Sequence, residues 1–157
     1  MITVIAARSQ NDAIGYQGKI PWNIPEEKRW FRERTMGGTV ILGRKSWQEI
    51  GRPLGGRQTI VLSRDPAFCC PGCEKASSLK EALALADRPE IYIAGGAAVY
   101  QQALEFADRL CLTRIEAFFE GDTFFPAVDW HHWKLIQQKH RPGDPAWTVE
   151  IWERILP

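Results

Sequence analysis

Nothing in these 157 residues approaches the apolar run needed to span a bilayer. The N-terminus, MITVIAARSQ, has no basic segment before its apolar run and no small-residue cleavage pattern. It reads as a strand rather than a signal peptide. An excess of one charge is missing too: 20 Lys and Arg against 19 Asp and Glu leave a formal charge of +1. With no basic run or aromatic–basic repeat, nucleic acid and membrane are not expected as main partners. Cytoplasm is the expected compartment. Histidine is scarce, and His131, His132 and His140 lack paired ligand spacing, so no metal site is expected.

Cysteine is present but thinly used. Cys69, Cys70 and Cys73 crowd into FCCPGCE, while Cys111 lies in a distant apolar run. The Cys70–Cys73 spacing suits zinc or redox chemistry. However, a structural zinc needs four ligands, and a redox pair would be expected to open a helix after a strand. A reduced cluster in a proline–glycine turn is the simpler expectation. Catalytic signatures are also absent: there is no complete G-x-G-x-x-G, Walker A, G-x-S-x-G or HExxH pattern, and no well-placed Cys–His pair. Enzymatic chemistry here would have to come largely from a cofactor, with the protein supplying orientation and electrostatics.

What is present is an α/β alternation. The β-rich runs ITVIAA, TVILG, QTIVLS, IYIAG and RLCLTRI interleave with helical patterns over 25–35, 44–50, 78–86 and 97–106. That order predicts one domain over 1–157, with a mostly parallel sheet and helices on both faces. Ser78–Glu81 carries a capping-box pattern. WKLIQQKH and WTVEIWERI, joined by RPGDPA, predict an antiparallel hairpin at one sheet edge.

The segment Ile20–Phe31, IPWNIPEEKRWF, stands out. Pro25, Glu26 and Glu27 read as a first helical turn, where proline fits and acids oppose the helix dipole. At helical spacing Glu27 shares a face with Ile24, Trp30, Phe31 and Arg34, while Glu26 turns to solvent. A carboxyl group against Trp and Phe is costly to ionise unless donors or a cation meet it. Read alone, both acids could simply cap a helix.

Three strand ends carry chemistry suited to a phosphate ligand. Gly43 leads into a helix opening with Arg44, Lys45 and Ser46. QTIVL ends at Ser63 and Arg64. IYIA ends at Gly95-Gly96-Ala97-Ala98, where the glycines let backbone approach a phosphate, although such pairs also serve plain tight turns. Together they suit a dinucleotide carrying an extra phosphate, NADP rather than NAD.

These pieces, with IAA (5–7), IG (14–15), PWN-P (21–25), Phe31, GR (43–44), IGRPL-GR (50–57), LS (62–63), GG--VY (95–100), LT (112–113) and EGDT-FP (120–126), resemble a bacterial dihydrofolate reductase from end to end. The resemblance implies an eight-stranded α/β fold and NADPH-dependent reduction of 7,8-dihydrofolate to tetrahydrofolate, by hydride transfer to C6 and water-mediated protonation of N5. It also implies that antifolate inhibitors bind. A monomer is expected, because no exposed apolar stripe demands a partner.

By position, Glu27 would be the active-site carboxylate, accepting two hydrogen bonds from the pterin. Thr113 would hydrogen-bond that carboxylate, Trp22 would hold an ordered water, and Tyr100 would complete the catalytic group. Ile5, Ala6, Ala7, Phe31, Ile50 and Leu54 would wall the substrate, and Arg57 would pair with its glutamate carboxylate. For the cofactor, Ala7, Ile14 and Gly18, Lys19 and Ile20 would lie near the nicotinamide. Gly43–Ser46 and Gly95–Tyr100, with Val99, would hold the diphosphate. Leu62, Ser63, Arg64 and Arg44 would serve the adenosine 2′-phosphate end. Residues 9–24 match the family's mobile loop, which Gly121–Thr123 would hold closed.

Departures from the pattern fall beside the site. Lys28 stands where leucine is common, Ala94 where a branched aliphatic residue is common, and Ala97 and Ala98 where glycine and arginine are. Tolerated drift is one reading. The other is that Glu27, Lys28 and Ala94 reshape the pocket against antifolates such as trimethoprim. Two further functions compete at this level: a related NADPH reductase acting on another heterocycle, and a non-catalytic folate or nucleotide binder.

Overall fold

A computed structural model describes residues 1–52 and 54–155. Pro53 of the IGRPL segment, and Leu156 and Pro157 at the end of the expected 1–157 domain, lie outside the described residues. Strands are β1 (Ile2–Ser9), β2 (Ala13–Gly15), β3 (Thr39–Gly43), β4 (Gln58–Leu62), β5 (Glu74–Ala76), β6 (Ile91–Ile93), β7 (Arg109–Ile115), β8 (Thr123–Phe124), β9 (Trp133–Arg141) and β10 (Trp147–Arg154). Helices are α1 (Pro25–Thr35), α2 (Arg44–Ile50), α3 (Leu79–Leu85) and α4 (Ala97–Ala103). An eight-stranded sheet runs β5-β4-β3-β6-β1-β7-β10-β9, parallel from β5 to β7 and antiparallel beyond. The expected α/β architecture and edge hairpin are both present. β2 and β8 form a separate two-stranded ribbon, which the apolar patterning did not reveal.

Side-chain alternation divides the core into two layers. Ile5, Val40, Leu42, Val61, Cys111 and Ile151 face the side carrying α1 and α2, with Trp47 and Trp22. Val4, Ala6, Ile41, Ile60, Leu110 and Leu112 face α3 and α4, with Leu79, Val99 and Tyr100. The central strands read as apolar runs because both faces are covered.

Local sequence explains the helix starts. Pro25 occupies the first turn of α1 followed by Glu26 and Glu27. Ser78 caps α3 by accepting the Glu81 N–H at 3.1 Å. The return bonds run one residue earlier than a capping box predicts: the Glu81 carboxylate accepts from Ser77 N–H at 2.9 Å and from Ser77 Oγ at 2.6 Å. Among the described residues no helix is long and apolar enough to cross a membrane.

Candidate active site

Parallel strands place all their carboxyl ends on one edge, and the predicted phosphate-binding ends fall on adjacent strands β4, β3 and β6. The Gly43 N–H donates to Gly95 O at 2.8 Å, locking two of these ends together. Gly95 is buried at φ +121°, and a Cβ there would meet Ser46 Oγ at 3.0 Å. Only glycine fits that position without displacing Ser46. The peptide joining Gly95 to Gly96 is cis. Neither Gly43 before α2 nor Gly96 before α4 supplies a side-chain cap, so first-turn N–H groups of both helices have no capping side chain. Lys45, Arg64 and Ala98 are exposed beside this edge. The donor set fits a dinucleotide phosphate.

Not every expected cation is free. Arg44 pairs with Asp65 at 3.2 Å and stacks over the Phe68 ring at 4.9 Å. The Ser63 hydroxyl accepts the Asp65 N–H at 3.2 Å, which fixes that partner. Asp65 was not singled out by sequence, since nothing local marks a residue that neutralises a cation on another loop.

On the α1 side the structure gathers Ile5, Ala7, Trp22, Ile24, Phe31, Leu54 and Ala94 in one apolar layer. Alternation along β1 divides the expected substrate wall, because Ala6 points into the opposite layer with Tyr100 and Val99. Its side chain is therefore no wall of the Glu27 cleft. Leu62 and Ile14 also pack on that opposite layer, and Ile50 is exposed at the end of α2. Trp22 is buried against Phe119, with ring centroids 5.6 Å apart. Asn11 holds Phe119 in place by a reciprocal pair, Nδ2 to Phe119 O at 2.8 Å and Phe119 N–H to Oδ1 at 3.2 Å.

Glu27 lies half-buried beside this layer, and burial pushes its carboxyl up to about 7, with Lys28 pulling it partway back. Lys28 Nζ donates to Asn23 Oδ1 at 2.9 Å, so the cation is held at the helix start. Thr113 does not make the expected bond to Glu27. Its Oγ1 is buried without any partner among the described residues. A buried orphan hydroxyl costs stability, on the order of 1–3 kcal/mol, unless a ligand or water meets it. Tyr100 is buried and donates to Ile5 O at 2.9 Å. Burial, with the Glu27 carboxylate adding, keeps its phenol un-ionised.

Arg57 lies where α1 ends. Its Nε donates to Gly55 O at 3.0 Å and its Nη1 to Thr35 Oγ1 at 3.1 Å, and among the described residues Nη2 makes no hydrogen bond. Burial, with the neighbouring Arg32 adding, lowers its pKa from the ordinary guanidinium range. The loop residues Gly15 and Gln17 meet Asp122: Asp122 N–H to Gly15 O at 3.0 Å, and Gln17 N–H to Asp122 Oδ2 at 2.9 Å. Gly18, Lys19 and Ile20 are exposed at the tip of this loop. Elsewhere, Cys70 and Cys73 close a turn through the Cys73 N–H to Cys70 O bond at 3.0 Å, and burial pushes both thiols up. Among the described residues no group of three or more His, Cys, Asp or Glu is arranged to hold a metal ion.

Comparison with known proteins follows the same lines. The family model for dihydrofolate reductase matches residues 1–154. The chain is 45% identical to the dihydrofolate reductase of Neisseria meningitidis serogroup A over 142 residues, 89% of this chain and 88% of that one. It is 43% identical to dihydrofolate reductase type 3 of Salmonella typhimurium over 145 residues, 92% and 90% of the two chains. Its fold matches a solved dihydrofolate reductase from Enterococcus faecalis, complexed with NADP(H) and RAB-propyl. The TM-score is 0.92 at 35% identity, covering 98% of this chain and 96% of that one.

Proposed function

The chain belongs to the dihydrofolate reductase family and is an NADPH-dependent oxidoreductase reducing dihydrofolate to tetrahydrofolate; within that activity, we propose that Glu27 anchors the pterin ring. One observation carries the assignment: a carboxyl raised to about 7 by burial on the α1 side of the sheet, the side that Thr113 shares with Cys111 and Ile115 of β7 and where its buried hydroxyl has no partner among the described residues. A pterin edge offers two parallel N–H donors, N3–H and the 2-amino group, and these favour the ionised form that burial alone opposes. Thr113 Oγ1 gains a partner when the site fills. NADPH, when bound, supplies the hydride that reaches C6.

The protein's own contributions are binding, orientation and proton control. Glu27 fixes the ring and, through ordered water beside Trp22, biases delivery of a proton to N5. Tyr100, tied to Ile5 O, fastens α4 to β1 behind the ring. Arg57 offers its Nη2 to the carboxylate of the glutamate tail. Ser46, Lys45, Arg64 and the glycine pair hold the cofactor's phosphates. The chain works as one domain over 1–157, as a cytoplasmic monomer with no nucleic-acid or membrane partner.

Lys28 and Ala94 support a second element of this reading, exclusion of diaminopyrimidine antifolates and with it trimethoprim resistance. A cation held at the helix start and a small residue in the apolar layer change both charge and volume beside Glu27. Equal trimethoprim affinity in this protein and its Lys28→Leu/Ala94→Ile variant refutes it.

The test of the main reading is loss of NADPH absorbance with dihydrofolate as the only oxidant. Glu27→Ala is expected to keep NADPH binding and lose most turnover at neutral pH, with partial recovery in acid as substrate N5 protonates in solution. Unchanged neutral turnover in that variant removes the assigned role.

A further inference from the structure

The loop between β2 and α1 is fastened to three separate elements. Asp122 takes its near end through Gly15 and Gln17, and Lys28 of α1 takes its far end through Asn23. Between them, the Ile20 N–H donates to Glu49 Oε1 on α2 at 2.9 Å. No motif or resemblance marks Glu49. Yet it lies three residues after Ser46, on the helical face that meets the glycine pair. α2 itself is anchored by the buried Trp47.

Topology gives that bond its meaning. α2 follows β3, and the loop follows β1 and β2, with β6 lying between β1 and β3 in the sheet. The bond therefore joins the elements flanking the strand end that carries Gly95 and Gly96. Ile20 has little else to hold it. The residue is 48% exposed, and it leaves a tight turn in which, among the described residues, Tyr16 and Lys19 bond only each other's backbone, at 2.8 and 3.1 Å. A carboxylate–amide bond is stronger than a neutral one. Among the described residues Glu49 forms no ion pair that competes for its carboxylate, even with Lys45 one turn earlier.

We infer that Glu49 is a positioning residue that holds the Gly15–Asn23 loop down through the Ile20 amide and so slows escape of NADPH. The inference rests on the cofactor site proposed above. Its first test needs no cofactor. Trypsin cuts after Lys19, and the bond it breaks contains the tethered Ile20 nitrogen, so cleavage there in ligand-free protein reports release of the tether. Glu49→Ala is expected to speed that cut roughly fivefold, the effect of losing one hydrogen bond, and Glu49→Gln, which keeps an acceptor oxygen, by less. Cleavage after Lys139 on β9 serves as the internal reference and should not move.

The second test is the NADPH dissociation rate by stopped-flow fluorescence. Glu49→Ala should raise it by a similar factor, with Glu49→Gln again between. A Lys19 cut within twofold of the wild-type rate overturns the tether. Faster cutting with an unchanged dissociation rate overturns its control of release. Failure of wild-type protein to bind NADPH would instead sink the cofactor site, and the protease result would still decide the tether.

Discussion

Glu27→Gln replaces a half-buried carboxyl with a neutral group of nearly the same shape, so its effect on ligand-free stability isolates the cost of the charge. Burial raises the carboxyl from 4.5 to about 7 in the folded protein. Between these values the native state binds more protons than the unfolded chain, so this group makes stability fall as pH rises. Its contribution is complete below about 4.5 and is lost as pH passes through about 7. Each pKa unit corresponds to about 1.4 kcal/mol, so the ionised side chain costs on the order of 3 kcal/mol above that range. The glutamine variant escapes this cost. It should match the wild type near pH 4.5 and exceed its stability increasingly up to about pH 8, where the gap levels off. For a domain of this size the plateau is worth roughly 6–12 °C in Tm. Urea unfolding of both proteins at several pH values measures the gap directly, because other titrating groups cancel in the difference. A gap that stays constant from pH 4.5 to 8 would refute the argument that burial controls this carboxyl.

Thr113→Val should leave ligand-free stability unchanged or slightly higher, since among the described residues the hydroxyl has no partner, while dihydrofolate affinity falls roughly five- to tenfold by equilibrium fluorescence titration. Arg57→Lys keeps the charge but loses the planar fork. Its KM for dihydrofolate should rise about tenfold or more with kcat little changed, and an unaltered KM would dismiss the contact with the glutamate tail. In Gly121→Ala the new Cβ would lie 2.6 Å from Ala13 Cβ and 3.1 Å from Gly15 O. The strain should cost about 1–3 kcal/mol in urea unfolding and loosen the Asp122 contacts to the loop.

Local chemistry was legible wherever it depends on neighbours in sequence. Apolar runs gave the parallel strands, proline followed by two acids gave the start of α1, and the spacing of Glu27 from Trp30 and Phe31 placed a carboxyl on an apolar face. Glycine pairs and cations after strands marked the phosphate edge for the same reason: strand ends and helix starts are written in adjacent residues. The ribbon of β2 and β8 escaped notice because two or three residues carry no periodicity. Its pairing is decided by distant chain.

Tertiary structure decided which of the marked groups are free to act. It committed Arg44 to Asp65, turned Ala6 into the layer away from Glu27, left the Thr113 hydroxyl without the expected carboxylate, and brought Glu49 to the amide of Ile20. Sequence alone determined that a carboxyl, an arginine and a phosphate edge exist on an α/β frame. Whether each is neutralised, orphaned or tethered depends on residues tens of positions away, and the raised pKa of Glu27 is such a property. It comes from the water that packed neighbours exclude, and only the folded chain sets that.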